Sequence, residues 1–333
     1  MRVLVTGAAG YVGSHACKAL AQAGFEPVGL DNMQRAGIRN LPWGPLEVAD
    51  ICDRPALNAV LDKYRPQAAM HFAAYAYVGE SVAAPDIYYR NNVGGSVTLL
   101  SALRDAGIDK FIFSGSCAVY GMSNVCSIVE SHPQAPISPY GASKQMVERI
   151  LLDFEAAFGI RHVVLRYFNA AGADPDGEIG ECHDPETHVI PLAIQTALGR
   201  RPVFEVFGCD YATSDGSAVR DYVHVSDLAR AHVLSLQYLL QGGASVALNL
   251  GTGRGHSVLE VVKAVEFATK RRVNLRQAPR RPGDPAILVA DPSHAAAVLG
   301  WRAEIAAIGE IVQTAASWEI RRPGILGAAH VHL

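Results

Sequence analysis

A glycine turn close to the amino terminus constrains this chain more than any other feature. The apolar run Arg2-Val3-Leu4-Val5-Thr6 leads into Gly7-Ala8-Ala9-Gly10-Tyr11-Val12-Gly13, and residues 11–23 read as a helix. Strand, glycine turn and helix is the order that a phosphate-binding βα unit requires. The glycines allow a tight turn and let the backbone approach a pyrophosphate. The N–H groups at the helix start then face that anion. The spacing is G-x-x-G-x-x-G.

The next strand, Glu26-Pro27-Val28-Gly29-Leu30, ends at Asp31-Asn32. An acidic residue there accepts hydrogen bonds from the adenosine ribose and repels a 2′-phosphate, which predicts NAD over NADP. The pattern then alternates as a parallel sheet should. Leu46–Ala49 is a short strand ending in Asp50-Ile51, and residues 54–64 are helical. Ala68–Phe72 is a strand followed by the small Ala73-Ala74, which suit close approach of a ligand. Residues 85–106 read as one long helix carrying Asn91-Asn92, and Lys110–Phe113 as a strand ending in Ser114-Gly115-Ser116. Binding residues belong at the carboxyl ends of such strands. The expected cofactor contacts are Gly7, Gly10, Tyr11, Val12, Gly13, Asp31, Asn32, Asp50, Ile51, Phe72, Ala73, Ala74, Asn91, Ser114, Tyr140 and Lys144.

Ser138-Pro139-Tyr140-Gly141-Ala142-Ser143-Lys144 pairs a phenol with an ammonium one helical turn on. A nearby ammonium favours the phenolate, so the pair predicts a tyrosine with a pKa lowered toward neutrality. Such a tyrosine can take a proton from a sugar hydroxyl. Ser116, at a strand end, is expected at the same edge of the sheet as the glycine turn.

The chain has 333 residues, 50% of them hydrophobic and 18% charged, with a net charge of −3. That length allows about two domains. No Lys/Arg run is long enough to suggest nucleic acid or an anionic membrane as partner. No apolar stretch reaches the roughly 18 residues of a membrane span. The apolar run at the start is too short for a signal peptide, so the expected address is the cytosol. Cysteines at 17, 52, 117, 126, 182 and 209 form no C-x-x-C and read as thiols, not a disulfide framework. Glu181–His188 concentrates metal-ligand types but lacks paired zinc spacing, and no metal is expected there. His330-Val331-His332 reads as a frayed end.

Thr6-Gly7-x-x-Gly10-x-x-Gly13, Asp31-Asn32, Ser116 and Tyr140-x-x-x-Lys144 resemble the extended short-chain dehydrogenase/reductases. More narrowly, the chain is similar to the UDP-glucose 4-epimerase family. The runs that carry this are His71–Ala74, Val78–Ser81, Phe111–Ser114, Leu165–Asn169, Val219–Val225, Asn249–Gly253 and Arg280–Asp284. The resemblance extends from residue 1 to about 320 and implies a doubly wound, Rossmann-like parallel sheet with a smaller α/β carboxyl-terminal substrate domain. The NAD-binding domain is expected at 1–170, with 222–251 returning to it, and the nucleotide-sugar domain at 171–333.

The resemblance also implies a hydride mechanism. Tyr140 would remove the proton from the sugar 4-hydroxyl, Lys144 would keep the tyrosine ionised, and Ser116 would hydrogen-bond the 4-oxygen. Hydride would pass to NAD and return to the other face of a 4-keto sugar. Phe168 would sit near the nicotinamide and Asn169 at the diphosphate. His188 and Val189 would lie near the nucleotide, with Val206 and Phe207 along the uracil. Arg220 and Arg281 would grip the diphosphate, and Asp284 the ribose. A homodimer through helices of the first domain is expected.

The chain departs from the family pattern in places. Ala76 stands where many members carry a lysine that reaches the cofactor, so the fit is looser or another group substitutes. His188 stands where asparagine is frequent. Leu288 occupies the position that gates bulky 2-substituents and leaves N-acetylated sugars undecided. The segment from Asp31 to Asp50 is short. A 4,6-dehydratase would need an Asp-Glu pair after the strand-end hydroxyl, where Cys117-Ala118 stand. A UDP-pentose epimerase shares the C4 chemistry and stays open. A silent NAD-binding regulator is disfavoured by the intact Tyr140 and Lys144.

Overall fold

The apolar run at the amino terminus forms β1 (Arg2–Thr6), and the glycine turn delivers the chain into α1 (Tyr11–Gln22). The structure is a computed structural model, which describes residues 1–38, 40–123, 127–281 and 284–321. Next come β2 (Glu26–Asp31), β3 (Leu46–Val48), α2 (Arg54–Tyr64) and β4 (Ala68–His71). A helical stretch follows as α3 (Val78–Ala83), α4 (Pro85–Tyr88) and α5 (Gly95–Asp105), the last two joined by a π-helical segment, Tyr89–Gly94. β5 (Lys110–Ser116), α6 (Pro139–Phe158), β6 (Arg161–Tyr167) and β7 (Asn169–Ala171) come next. Then follow α7 (Val189–Ala197), β8 (Phe204–Phe207), β9 (Val219–His224), α8 (Val225–Leu240) and β10 (Val246–Leu250). The described chain finishes with β11 (Gly255–Ser257), α9 (Val258–Thr269), β12 (Leu275–Ala278), β13 (Ile287–Leu288), α10 (Ser293–Leu299) and α11 (Ile308–Arg321).

Seven strands form one sheet in the order β3-β2-β1-β4-β5-β6-β10, with every pairing parallel. Winding reverses between β1 and β4, and ligands of such sheets bind in the crevice outside the strand ends at that point. The sheet is buried on both faces, as parallel sheets are. Leu4, Phe111 and Phe113 pack against Leu57, Leu99 and Val147 on one side. Val3, Val5, Ile112 and Leu165 pack against Cys17, Leu228 and Leu236 on the other. Each such side chain contributes about 1.5–3 kcal/mol by leaving water.

The smaller part of the molecule packs Ile194, Val261, Val265, Ile311 and Val312 around Phe204 and Val206. Its strands form a β8/β12 pair and a small sheet in which β9 pairs with β7, β11 and β13. The return to the large sheet begins at Val225, not at 222, because Tyr222–His224 pair with Asn169–Ala171 in the small sheet.

The expected helix over 85–106 is interrupted by the π segment. There the Asn92 side chain reaches sideways. Its Oδ1 accepts from Tyr75 N at 2.9 Å, and its Nδ2 donates to Tyr75 O at 3.0 Å and Ser143 Oγ at 3.1 Å. A π turn re-aims a helical side chain in this way, commonly beside a functional site. Among the described residues, no helix is long and apolar enough to cross a membrane. Cys126, Pro282-Gly283 and the His330-Val331-His332 tail lie outside the described residues.

Candidate active site

A cavity of about 460 Å³ opens at the carboxyl ends of the central strands. The glycine turn forms one wall. Gly7 has φ +71°, and a Cβ there would meet Ala73 N at 2.6 Å; one on Gly13 would meet Gly7 O at 2.1 Å. Only glycine builds this turn, and Gly10, Tyr11 and Val12 line the cavity with it.

Asp31 ends β2 beside the turn. Its Oδ2 accepts from Ala9 N at 3.0 Å and its Oδ1 from Met33 N at 2.9 Å. Burial raises its pKa, and the two N–H groups pull the other way. Asn32 donates to Asp50 Oδ2 at 3.0 Å, so Asp50 stands behind the wall and orients Asn32. Asn32, Ile51, Phe72, Ala73, Ala74, Asn91 and Ser114 all line the cavity; Asp50 does not. A glycine cradle at a helix start, a carboxylate at the end of the second strand and small residues opposite are the surroundings a dinucleotide needs.

The catalytic candidates meet on the next wall. Ser138 caps α6 by accepting from Gly141 N at 3.2 Å, and Pro139 follows at a position where proline favours helix initiation. That fixes Tyr140 in the first turn and Lys144 one turn on. Ser116, Tyr140 and Lys144 all line the cavity. Lys144 Nζ donates to Ser114 O at 2.8 Å and lies 6.0 Å from the Tyr140 ring centroid. Burial pushes the Lys144 ammonium down to about 7, with Glu148 resisting. Burial also pushes Tyr140 up to about 12, against a hydrogen bond from Ser116 that favours ionisation. The lowered phenol pKa expected from the spacing is therefore overturned for the protein's own groups. Desolvation of the phenolate outweighs the help its neighbours give.

The substrate-side candidates divide. Phe168, Asn169, His188, Arg220 and Asp284 line the cavity. Arg220 Nη2 donates to Asp284 Oδ1, and its strand is tied down by the neighbouring Asp221, which accepts from Thr252 N at 2.9 Å, Gly253 N at 3.1 Å and Ala290 N at 3.2 Å. Val189, Val206, Phe207 and Arg281 do not line it. Val189 opens α7, Val206 is buried in the smaller core, and the Arg281 guanidinium lies 4.0 Å over the Phe207 ring.

His188 belongs to the Glu181–His188 run, four of whose side chains the fold brings together. Glu181, His183, Glu186 and His188 bring their potential ligand atoms within 4.8 Å of one another. His188 Nδ1 is 2.6 Å from Glu181 Oε1 and 3.0 Å from Glu186 Oε1, and His183 Nδ1 is 2.9 Å from Glu181 Oε1. Burial opposes a charge on His188, but the two carboxylates outweigh it and hold its pKa well above the ordinary histidine value.

Other cavity-lining residues were given no site role by the sequence: Arg35, Tyr75 and Tyr77 belong to no motif, and Tyr167, Glu181 and His183 lie in runs singled out for other reasons. They sit on loops or at a strand end, and only folding brings them to the wall. Leu288 also lines the cavity and packs near Phe168. Cys117 and Ala118 follow Ser116 on the wall, where a dehydratase would need acids.

Residues 3–251 match the model of the NAD dependent epimerase/dehydratase family. The UDP-glucose 4-epimerase of Rhizobium meliloti is 52% identical over 320 residues, covering 96% of this chain and 97% of that protein. The chain belongs to the UDP-glucose 4-epimerases. The crystal structure of the Brucella ovis UDP-glucose 4-epimerase in complex with NAD superposes with a TM-score of 0.93 at 49% identity, covering 95% of this chain and 97% of that one. The UDP-Glc/GlcNAc 4-epimerase of Campylobacter jejuni follows at a TM-score of 0.85 and 33% identity, covering 96% and 99%. As a member of this family the chain is an NAD-dependent isomerase, and the dehydratase reading falls.

Proposed function

We propose that the chain interconverts UDP-glucose and UDP-galactose by oxidising and re-reducing C4 of the sugar, with Tyr140 as the base. The observation that carries this reading is the meeting of Ser116, Tyr140 and Lys144 on the cavity that the glycine turn and Asp31 also line. Bound NAD supplies a hydride acceptor and donor. Tyr140 takes the proton of the 4-hydroxyl, and Ser116 hydrogen-bonds the 4-oxygen and helps relay the proton. The Lys144 ammonium stabilises the ionised phenol, offsetting the desolvation that opposes it. The 4-keto sugar turns over in the pocket, and the proton returns from Tyr140 to the oxygen.

The glycine turn, Asp31, Asn32, the wall from Phe72 to Ala74 and Phe168 would hold the cofactor. Asn169, His188, Arg220 and Asp284 take the nucleotide sugar. A guanidinium suits a diphosphate because it binds its oxygens bidentately and stays charged. Two copies would pair through the α5 and α6 region, where Val97, Met146 and Leu152 are exposed apolar side chains. The protein works in the cytoplasm on this reading.

The test is turnover of UDP-glucose, UDP-N-acetylglucosamine and a UDP-pentose by the purified protein with NAD, followed by product chromatography. UDP-galactose is expected from UDP-glucose. No conversion of UDP-glucose by protein that carries NAD would sink the proposal, and faster turnover of another sugar would reassign the substrate.

A further inference from the structure

Arg35 is a cavity residue that the C4 chemistry leaves unused. It follows Asp31 by four positions and lines the same cavity as Asp31, Asn32 and the glycine turn. We propose that Arg35 is the cation that holds the diphosphate of the bound NAD, and that with Tyr75 and Tyr77 it forms a strap retaining the cofactor.

The side chain is built to be held still. Its guanidinium carbon lies 4.3 Å from the Tyr75 ring centroid and 4.9 Å from that of Tyr77, so the planar group sits against two aromatic rings. Nη2 donates to Glu80 Oε1 at 2.7 Å. Glu80 is fixed in turn, since its Oε2 accepts from Tyr88 Oη at 2.6 Å. Tyr75 is anchored through its backbone by Asn92 and through its hydroxyl by Gln34, at 2.6 Å. Arg35 thus joins the loop after β2 to the segment after β4.

Two observations point to an anionic ligand. Arg35 Nη1 is buried and has no hydrogen-bond partner. A guanidinium donor left in that state is costly unless an acceptor is supplied. The second is the distribution of charge. Among the described Lys and Arg side chains, the cavity is lined by Arg35, Lys144 and Arg220. Lys144 is bonded to Ser114 beside Tyr140, and Arg220, paired with Asp284 as Arg35 is with Glu80, is assigned above to the nucleotide sugar. Arg35 lies in the loop that follows Asp31, whose Gly37 N and Ile38 N donate to Ala9 O of the glycine turn at 2.8 and 3.1 Å, where the dinucleotide brings two phosphate charges against neutral N–H groups. Ala76 on the same strap carries no charge. Asp31 disfavours a 2′-phosphate, which directs Arg35 to the diphosphate.

The test uses Arg35→Met, Arg35→Lys and Glu80→Gln, each purified as holoprotein and checked for an unchanged circular dichroism spectrum. NAD release is followed by exchange against labelled NAD, and NAD affinity is measured from low to high salt. Arg35→Met is expected to release NAD about tenfold faster or more, and to flatten the salt dependence because one phosphate contact is gone. Arg35→Lys should recover part of the affinity. Glu80→Gln keeps the cation, so the salt dependence should stay near that of the unaltered protein. Unchanged release from Arg35→Met overturns the proposal. So does equal loosening in Arg35→Met and Glu80→Gln with identical salt slopes, which would make Arg35 a strap alone. A loss confined to NADP, tested in parallel, would reassign the contact to a 2′-phosphate.

Discussion

Tyr140 and Lys144 illustrate how burial competes with neighbouring charge. The protein's own groups leave the phenol at about 12 and the ammonium at about 7, because each charged form loses water. On the proposed mechanism, Tyr140 needs groups that favour the phenolate once substrate is aligned, Ser116 and the Lys144 charge among them. Tyr140→Phe is expected to retain NAD and UDP-sugar binding while kcat falls by roughly 10²–10⁴. Product chromatography and substrate titration would check this, and near-normal kcat would remove Tyr140 as the base. Asp31→Ala should weaken NAD binding and relax discrimination against NADP, measured by titrating both cofactors; unchanged selectivity would place ribose recognition elsewhere. The pairing of Tyr140 with Lys144 was legible from their spacing. The direction of the phenol's shift was not, because five residues of sequence do not reveal how much water the fold removes.

Among the elements, α6 brings Tyr140 and Lys144 to the cavity. Its position is set by the Ser138 cap at one end and a buried ion pair further along. Glu148 accepts from Arg166 Nε and Nη2 at distances from 2.6 to 3.2 Å, and Arg166 Nη1 donates to Tyr120 Oη at 2.9 Å and Glu130 O at 3.2 Å. Ser138→Ala should lower stability by about 1 kcal/mol, read by urea denaturation. Glu148→Gln leaves a buried guanidinium short of its counter-ion, so a loss of about 3–5 kcal/mol is expected. Since Glu148 also resists the lowering of the Lys144 pKa, the same variant should drop that value further. A stability loss under 1 kcal/mol would show that the pair is already well compensated by its neighbours. The helix itself could be read from its apolar spacing and its Ser-Pro start. The π turn before α5 could not, because its cause is Asn92 bonding to Tyr75, a residue outside that helix.

At the scale of the molecule, several histidines are sealed in the core as neutral rings. Burial lowers His15 to about 4, His71 to about 3 and His232 to about 4. Below about pH 6.5 the unfolded chain takes up protons that these folded rings refuse. Stability should therefore fall as pH drops from about 6.5 toward 4, by about 2 kcal/mol for each ring at pH 5. Urea denaturation at pH 7 and pH 5 measures it, and equal midpoints would contradict the burial argument. These same rings show the division between chain and fold. Strand periodicity, the glycine spacing, Asp31 and the Tyr-Lys pair are local, so the sequence by itself determined the parallel sheet, the cofactor class and the helical pairing of Tyr140 with Lys144. Only the tertiary structure decided that Arg35 meets Tyr75 and Tyr77, that Glu181 and Glu186 hold His188, and that Val206 and Arg281 stand off the cavity. Those facts depend on which loops fold against one another and on how much water each charge loses, and neither is encoded in spacing along one segment.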